Sequence, residues 1–255
     1  MDKTSLAKRA KEYQGTYDHR LPVKSYTILQ LDGRAFHTYT KGLKRPFDEE
    51  FIDKMNQVAV AVLSEVTNAK FAYVQSDEIN ILLTDFEQEG TQPYFANRIN
   101  KVVSVASGVA SATMSRLYPD KNLAIFDARF FAVPDKNAAW EYFLWRQVDA
   151  IKNSVRSVAN NTFSHKTLTG VNTTDAKLML EEQGIVWDEF PADQKFGRLI
   201  QKETYAKPVE FYDPRIKEVV CKVVDGTRWA TKPAVVFSED KEFLNSIIPD
   251  KPENN

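Results

Sequence analysis

Two short apolar runs meet at an acidic turn in residues 71–85 of the chain. Ser76, Asp77 and Glu78 form the turn, and each flanking run is long enough for one strand. This pattern predicts a β-hairpin that carries paired carboxylates at its apex. Adjacent carboxylates repel each other unless a cation or a Lys or Arg side chain lies between them. We therefore expect a positively charged partner at this turn.

A second strand ends in an acidic residue upstream of the hairpin. Residues 26–31 are strand-like and lead directly into Asp32, Gly33 and Arg34. Gly33 permits a tight turn or a close approach of the backbone to a ligand. Carboxylate oxygens from two strand ends are ligands that Mg²⁺ prefers, and Mg²⁺ in proteins usually accompanies the phosphates of a nucleotide. Asp32 and Asp77 are therefore candidate ligands in a Mg²⁺–nucleotide site.

The spacing of apolar residues predicts two long amphipathic helices in the first half of the chain. The first begins after Asp48, a good N-cap, and the second spans residues 93–119. A further strand is predicted at residues 123–133. The resulting order, β-α-β-β-α-β, is that of an α+β, ferredoxin-like fold: an antiparallel sheet with both helices on one face. Because the first strand and the middle hairpin are neighbours in this topology, Asp32 and Asp77 can reach one ion.

The chain changes character after residue 133. The remaining predicted elements are helices at residues 140–158 and 175–183 and short strands at residues 198–205, 217–224 and 234–237. We therefore expect a catalytic core of residues 1–133 and a mainly helical, more basic appendage of residues 134–255 packed on it. Residues 249–255 are predicted to be disordered.

The net charge of −1 constrains the binding of any nucleic acid. The protein as a whole has no attractive field for a polyanion, so a nucleic acid would need a local basic patch. Arg146, Lys152 and Arg156 all fall on the polar side of the third helix and are candidates for an RNA-binding patch.

The single cysteine, Cys221, excludes an intramolecular disulfide and a multi-cysteine zinc site. It is typical of a reducing cytoplasm, where a buried thiol is expected. No long uncharged apolar run is present, and residues 1–11 are charged and lack an apolar stretch. We therefore expect a cytoplasmic protein with neither a membrane span nor a signal peptide.

Five short motifs follow one another along the chain. They are Leu31-Asp32-Gly33-Arg34-Ala35-Phe36-His37, Arg45-Pro46-Phe47-Asp48, Tyr73-Val74-Gln75-Ser76-Asp77-Glu78, Phe126-Asp127-Ala128-Arg129, and Trp145-Arg146-Gln147 with Asp149. Together they resemble the tRNA(His) guanylyltransferase family, and more closely its bacterial and phage-type guanylyltransferase-like branch. The resemblance covers roughly residues 11–197, and the first and third motifs are highly specific as a pair.

The resemblance implies a palm domain like that of DNA polymerases, which adds nucleotides in the 3′–5′ direction to the 5′ end of a tRNA. The 3′-hydroxyl of the incoming nucleotide attacks an activated 5′ phosphate, and pyrophosphate leaves. A 5′-monophosphate end is first activated with ATP, whereas a triphosphate end needs no activation. The implied substrates are GTP, ATP and other nucleoside triphosphates, and the implied assembly is a homotetramer.

The resemblance also assigns roles to individual residues. Asp32 and Asp77 would ligate two Mg²⁺ ions together with the Gly33 carbonyl, and Glu78 would support them or act as an occasional ligand. The nucleotide site would be lined by Asp32, Gly33, Arg34, Ala35, Phe36, His37 and Ser76. Asp48 matches a position beside the triphosphate, and Arg34 or Arg45 could pair with phosphate oxygens. In such a reaction two metal ions hold the attacking and leaving oxygens. This explains why the motifs contain metal-binding carboxylates but no nucleophilic side chain.

The chain departs from the family pattern at one informative point. Eukaryotic members have a His-Ile-Asn-Asn motif, associated with recognition of the histidine tRNA, where this chain has Ile151-Lys152-Asn153-Ser154. Phe47 replaces a common Asn, and Ala128 replaces the Gly of a Phe-Asp-Gly-Arg motif, but neither change removes a carboxylate. We therefore expect templated repair of 5′-truncated tRNAs rather than the non-templated addition of one G.

Two other functions fit the same fold. A palm-type nucleotide cyclase also has paired acids at this hairpin, although residues 75–79 match the usual Gly-Gly-Asp/Glu-Glu-Phe turn poorly. A non-catalytic RNA-binding module would place aromatic residues on exposed strands, where this chain has acids that repel the RNA backbone unless a metal ion is bound. A cyclic product from GTP alone would indicate the first alternative, and Mg²⁺-independent RNA binding the second.

Overall fold

A computed structural model describes residues 3–252, with the side chains of Lys3, Thr4 and Asp213 left out. Its elements, in chain order, are α1 (Lys3–Gly15), β1 (Tyr26–Gly33), α2 (Phe36–Tyr39), α3 (Glu49–Glu65), β2 (Ala69–Gln75), β3 (Glu78–Thr84), α4 (Ile99–Leu117), β4 (Phe126–Val133), α5 (Lys136–Thr162), α6 (Thr173–Glu182), α7 (Ala192–Phe196), β5 (Arg198–Asp213), β6 (Glu218–Pro233) and α8 (Lys241–Ile247). Short 3₁₀ turns occur at Tyr94–Asn97 and Trp187–Glu189.

One antiparallel sheet organises the molecule, with the strand order β4-β1-β3-β2-β5-β6. The first four strands with α3 and α4 form the predicted β-α-β-β-α-β arrangement. Alternate residues of β1 face opposite sides of the sheet: Leu29 and Leu31 pack with α3 and α4, whereas Ile28 packs with α5. Both helices of the core therefore cover one face, as predicted, and α5 covers part of the other.

The start of α3 follows the sequence prediction closely. Asp48 is its N-cap and accepts a hydrogen bond from the Phe51 backbone N–H at 2.8 Å. The second long helix begins later than predicted, at Ile99 rather than at Pro93. Phe95 and Ala96 have positive φ angles, which interrupt regular helical backbone within Tyr94–Asn97.

The C-terminal part contains helices, as predicted, but also a long β-hairpin that extends the core sheet. β5 and β6 pair over their whole length, and the first residues of β5 pair with β2. The outer part of this hairpin is exposed on both faces, so its sequence lacks the alternation of apolar and polar residues that reveals a half-buried strand. Two predicted strand fragments lie within it, and the prediction of a strand at residues 234–237 is wrong. The division at residue 133 stays a prediction, and the two parts share one sheet.

Two smaller predictions also fail. Cys221 lies exposed on β6 rather than buried. The backbone carbonyl of Pro249 accepts a hydrogen bond from the Tyr26 hydroxyl at 2.8 Å, and Asp250 forms an ion pair with Lys136, so the predicted disordered tail is bound to the core at these residues. Residues 253–255 of that tail lie outside the described residues. Among the residues described, no helix is both long and apolar enough to cross a membrane.

Candidate active site

Three carboxylates lie in a row across one end of the sheet. Asp32 in β1 is directly opposite Glu78 in β3 on one side and Asp127 in β4 on the other. Opposed residues of antiparallel strands direct their side chains to the same face of the sheet. Asp127 has no predicted role, although it lies in one of the five motifs, because the register between β1 and β4 cannot be read from either strand alone.

A backbone contact brings Asp77 to the same end of the sheet as Asp32. Asp77 lies in the turn between β2 and β3, and its carbonyl accepts a hydrogen bond from the Gly33 N–H at 3.2 Å. The carboxylate of Asp77 accepts a hydrogen bond from the Ser76 hydroxyl at 2.9 Å. The topology therefore places the two predicted metal ligands at adjoining strand ends, as the sequence pattern indicates.

This arrangement concentrates negative charge. Partial burial, followed by the charges of Asp77, Glu78 and Asp127, raises the pKa of Asp32 to about 6 against the opposing effect of Arg129. Burial also raises the pKa of Asp77, although the hydrogen bond from Ser76 acts in the other direction. A cation bound between these carboxylates would relieve the repulsion that their pKa values report.

Glu78 differs from its neighbours because its charge is already paired. Arg146 of α5 donates hydrogen bonds to both carboxylate oxygens, from Nε at 2.7 Å and from Nη2 at 2.5 Å. Asn80 donates another at 2.6 Å and itself accepts one from the Tyr142 hydroxyl. Burial alone would lower the pKa of Arg146, but the contacts with Glu78 outweigh it and raise that pKa. In this structure Glu78 is therefore placed to anchor α5 to the acidic row.

The three residues expected to form an RNA-binding patch do not share an exposed face. Arg146 is 7% exposed, so it is not on the polar surface where the prediction placed it. Arg156 is half-buried and donates to the backbone carbonyls of Leu168 and Val171. Of the three, Lys152 alone is exposed. The prediction for Arg146 is wrong because α5 presents this residue to the sheet, between the buried residues Phe143 and Ala150.

The segment after Asp32 turns sharply around a buried aromatic ring. A Cβ atom added at Gly33 would lie 2.4 Å from the Phe36 ring, so this close approach requires glycine. Phe36 is itself buried, with its ring stacked on Tyr39 and in edge contact with Phe126. Phe36 is therefore a core residue. The other predicted nucleotide-lining residues of this segment, Arg34, Ala35 and His37, are exposed.

A pocket of about 160 Å³ reaches the turn between β2 and β3, where Ser76, the neighbour of Asp77, forms part of its wall. The carboxylates of the acidic row are not among its lining residues. Arg45 and Asp48, which are predicted to lie beside the phosphates, also line this pocket. Backbone hydrogen bonds from Phe51 and Lys44 hold the pKa of Asp48 below its usual value, even though burial alone would raise it. Lining residues that sequence analysis did not assign include Lys44, Ser154, Ser157, Lys195 and Arg198. They come from distant parts of the chain, so no local motif reveals them.

Within residues 3–252, no group of three or more His, Cys, Asp or Glu side chains forms a metal site by itself. This finding leaves two-carboxylate sites open, because Mg²⁺ usually takes only one or two protein carboxylates and completes its shell with water and phosphate oxygens.

A ferredoxin-like antiparallel sheet with carboxylates at adjoining strand ends, and a pocket lined by cationic side chains, is the arrangement expected of a nucleotidyltransferase with a polymerase-like palm. The family model described as "Thg1: tRNAHis guanylyltransferase" matches residues 7–134, half of the chain. The chain belongs to this tRNA(His) guanylyltransferase family, as the motifs predicted.

Individual relatives agree with this assignment. The chain is similar to a bacterial tRNA(His) guanylyltransferase (Thg1)-like protein in complex with ATP, with 34% identity, a TM-score of 0.83, and coverage of 96% of this chain and 99% of that one. The chain is also similar to a bacterial tRNA(His) guanylyltransferase (Thg1)-like protein in complex with GTP. The identity is 31%, the TM-score is 0.79, and the match covers 96% of this chain and 99% of that one. This chain is 29% identical to tRNA(His) guanylyltransferase 1 of Arabidopsis thaliana. The match covers 71% of this chain but only 34% of that longer protein.

Proposed function

We propose that this protein adds nucleotides in the 3′–5′ direction to the 5′ end of a tRNA, with release of pyrophosphate. The observation that carries the proposal is the acidic end of the sheet, where Asp32 and Asp77 lie at adjoining strand ends next to a cationic pocket. Family membership supports the reaction type. The similarity to proteins bound to ATP and GTP supports nucleoside triphosphates as substrates.

The donor set at the acidic row fits Mg²⁺. Its groups are hard carboxylate oxygens, and among the described residues neither Asp32 nor Asp77 has an ion-pair partner. Asp32, Asp77 and the Gly33 carbonyl would hold the metal, and Asp127 is a further candidate on the far side of Asp32. Bound Mg²⁺ would neutralise phosphate charge and align the attacking and leaving oxygens.

The chain's own residues then have separable tasks in the transfer. The 3′-hydroxyl loses its proton and forms a bond to the 5′ phosphorus, and the bond from that phosphorus to pyrophosphate breaks. Asp32 and Asp77 fix the position of this exchange, while the Glu78–Arg146 pair keeps the end of the sheet rigid. Lys44 and Arg45 in the pocket wall are placed to receive phosphate oxygens.

The kind of RNA substrate, the assembly and the cellular location are proposed mainly from the sequence and the family resemblance. Templated repair of truncated tRNAs is supported by Ile151-Lys152-Asn153-Ser154 in place of the His-Ile-Asn-Asn motif, and by the 34% identity to a bacterial Thg1-like protein. A homotetramer and a cytoplasmic location remain part of the proposal through the family resemblance. Lys152 is the residue of the expected basic patch that is best exposed to meet RNA.

The decisive experiment is an extension assay with a tRNA that lacks its 5′ nucleotide and carries a 5′-triphosphate. Each nucleoside triphosphate is supplied separately, with and without Mg²⁺, to the wild type, to Asp77→Asn and to Asp225→Asn as a matched control on the exposed outer hairpin. We expect Mg²⁺-dependent addition of the nucleotide complementary to the opposing base, lost only in Asp77→Asn. Extension that persists in Asp77→Asn would overturn the site, and hydrolysis or cyclisation of GTP without extension would overturn the tRNA assignment.

A further inference from the structure

Arg198, the first residue of β5, places a buried guanidinium in the wall of the pocket. The residue is 4% exposed, and its Nε donates a hydrogen bond to Asn56 Oδ1 at 3.0 Å. Its Nη2 is buried without any hydrogen-bond partner. Among residues 3–252, no carboxylate forms an ion pair with this guanidinium, so the fold supplies no direct partner for its charge.

A second buried arginine, Arg146, provides a comparison. Arg146 is buried to a similar degree, yet both oxygens of Glu78 compensate its charge. Burial lowers the pKa of Arg198 to about 10, and the nearby Tyr73 and Asp193 only partly oppose that effect, so the guanidinium still carries its charge at neutral pH. An unpaired buried charge is costly, and folds usually retain one only where a partner binds.

The pocket around Arg198 has the chemistry of an anion site. Lys44, Arg45 and Lys195 add cationic groups to its wall, and Ser154 and Ser157 add hydroxyl groups. Asp48, one of the two acidic lining residues, is already engaged by two backbone N–H groups. The balance of charge in the wall therefore favours a negatively charged occupant.

We propose that Arg198 is a further substrate-binding residue, whose guanidinium pairs with a phosphate group seated in this pocket. The phosphate belongs either to a nucleoside triphosphate or to the 5′-triphosphate end of the RNA, and this inference rests on the proposed function. Because Nη2 is shielded from solvent, the guanidinium must turn toward the pocket to form the hydrogen bond. The phosphate then supplies the acceptor that the fold does not provide.

Two variants test this proposal by binding rather than by catalysis. Arg198→Met replaces the charge with an apolar chain of similar length, and Arg198→Lys keeps the charge but loses the planar fork. Arg228→Met is the matched control, because Arg228 is exposed, pairs with Glu203 and lies outside the pocket. Dissociation constants are measured for inorganic tripolyphosphate and for GTP by calorimetry, and melting temperatures are measured without ligand.

We expect Arg198→Met to raise the dissociation constant for tripolyphosphate at least tenfold while its ligand-free melting temperature stays equal to or above that of the wild type. Arg198→Lys should show an intermediate constant, and Arg228→Met should stay within twofold of the wild type. An unchanged constant in Arg198→Met, with a lowered melting temperature, would show that Arg198 is a structural residue only. If Arg198→Met does not fold, an unchanged constant in Arg198→Lys overturns the proposal in the same way.

A second comparison identifies the source of the phosphate. Binding of tRNA with a 5′-triphosphate is compared with binding of the same tRNA with a 5′-hydroxyl, in the wild type and in Arg198→Met. A weakened preference for the triphosphate end assigns the pocket to RNA, whereas weakened GTP binding alone assigns it to the nucleotide. If neither ligand depends on Arg198, the proposal is wrong. If tripolyphosphate binding depends on Arg198, the phosphate-binding role of Arg198 is supported even when the extension assay shows no nucleotide addition. The role of Arg198 and the proposed tRNA extension can therefore be overturned separately.

Discussion

Arg146 and Glu78 form a buried, two-point ion pair in which each side chain is 8% exposed. Glu78 is at the same time the residue directly opposite Asp32 in the neighbouring strand. The pair therefore joins α5 to the row of carboxylates at the position where their geometry is set. One acid of the row is neutralised by the fold, and the neighbouring acids remain available for a cation.

The first prediction concerns the energy of this pair. Arg146→Met leaves the buried Glu78 carboxylate without its cationic partner and should reduce the free energy of unfolding by about 3–5 kcal/mol. Glu78→Gln with Arg146→Met removes both charges and should recover most of the loss. Urea denaturation of the two single variants and the double variant measures the coupling. Purely additive effects would mean that the two side chains do not stabilise each other.

The second prediction distinguishes the roles of three acidic residues at this end of the sheet. Asp32→Asn and Asp77→Asn should each reduce nucleotide addition at least 100-fold, on the order expected when a key charge-stabilising contact is removed. The same substitutions relieve repulsion in the metal-free protein and should leave the melting temperature equal or slightly raised. Glu78→Gln should instead lower the melting temperature, because it weakens the contact with Arg146. A fall in melting temperature for Asp32→Asn would argue against an electrostatically repulsive row.

The core of the fold was predictable because its signals are local. The period of apolar residues after Asp48 gave α3, and the two apolar runs around Ser76 gave the hairpin of β2 and β3. The adjacency of Asp32 and Asp77 then followed from the order of the elements.

The other site residues could not be placed from local sequence because their positions depend on contacts between distant segments of the chain. Asp127 joins the row only through the register of β4 on β1, and Arg198 lines the pocket only because β5 extends the sheet beside β2. Arg146 looked like a surface residue because arginine usually is one. Its spacing of three from Phe143 and four from Ala150 nevertheless places it on the buried side of α5, and this was the signal that could have found it.

The third prediction follows from the raised pKa of Asp32. Well below pH 4 its carboxyl is protonated in both the folded and the unfolded protein, so it does not affect stability. Between pH 4 and pH 6 the unfolded state releases this proton more readily than the folded state, so the metal-free fold loses stability as the pH rises. Above pH 6 the full penalty is present, and it is below about 1 kcal/mol because Asp32 is only partly buried and solvent screens its charge.

Melting curves of the wild type and Asp32→Asn between pH 4.5 and pH 7.5 test this dependence. The advantage of the variant should grow as the pH rises and become constant above pH 6. Protons and Mg²⁺ compete for the same carboxylates, so Mg²⁺ should stabilise the wild type more at pH 7 than at pH 5. A Mg²⁺ effect that is equal at both pH values would show that the ion binds elsewhere.

The fourth prediction concerns Gly33, whose missing side chain allows the turn after Asp32. A Cβ atom there would overlap the ring of Phe36, which is fixed by Tyr39 and Phe126, so Gly33→Ala should cost about 1–3 kcal/mol of stability. It should also reduce nucleotide addition in molecules that remain folded, because the Gly33 N–H binds the Asp77 carbonyl and any shift separates the two acids.

Gly108 offers the matched control for this substitution. It lies in α4, where an added Cβ atom meets nothing within 4 Å, so Gly108→Ala should stabilise the protein by about 0.5–1 kcal/mol. The double variant Gly33→Ala with Phe36→Leu should regain part of the stability, since the flexible leucine can move away from the new methyl group. Denaturant unfolding and the extension assay on the folded fraction measure both effects. If Gly33→Ala were as stable and as active as the wild type, the ring of Phe36 would have room to move, and the turn would not hold Asp32 and Asp77 together.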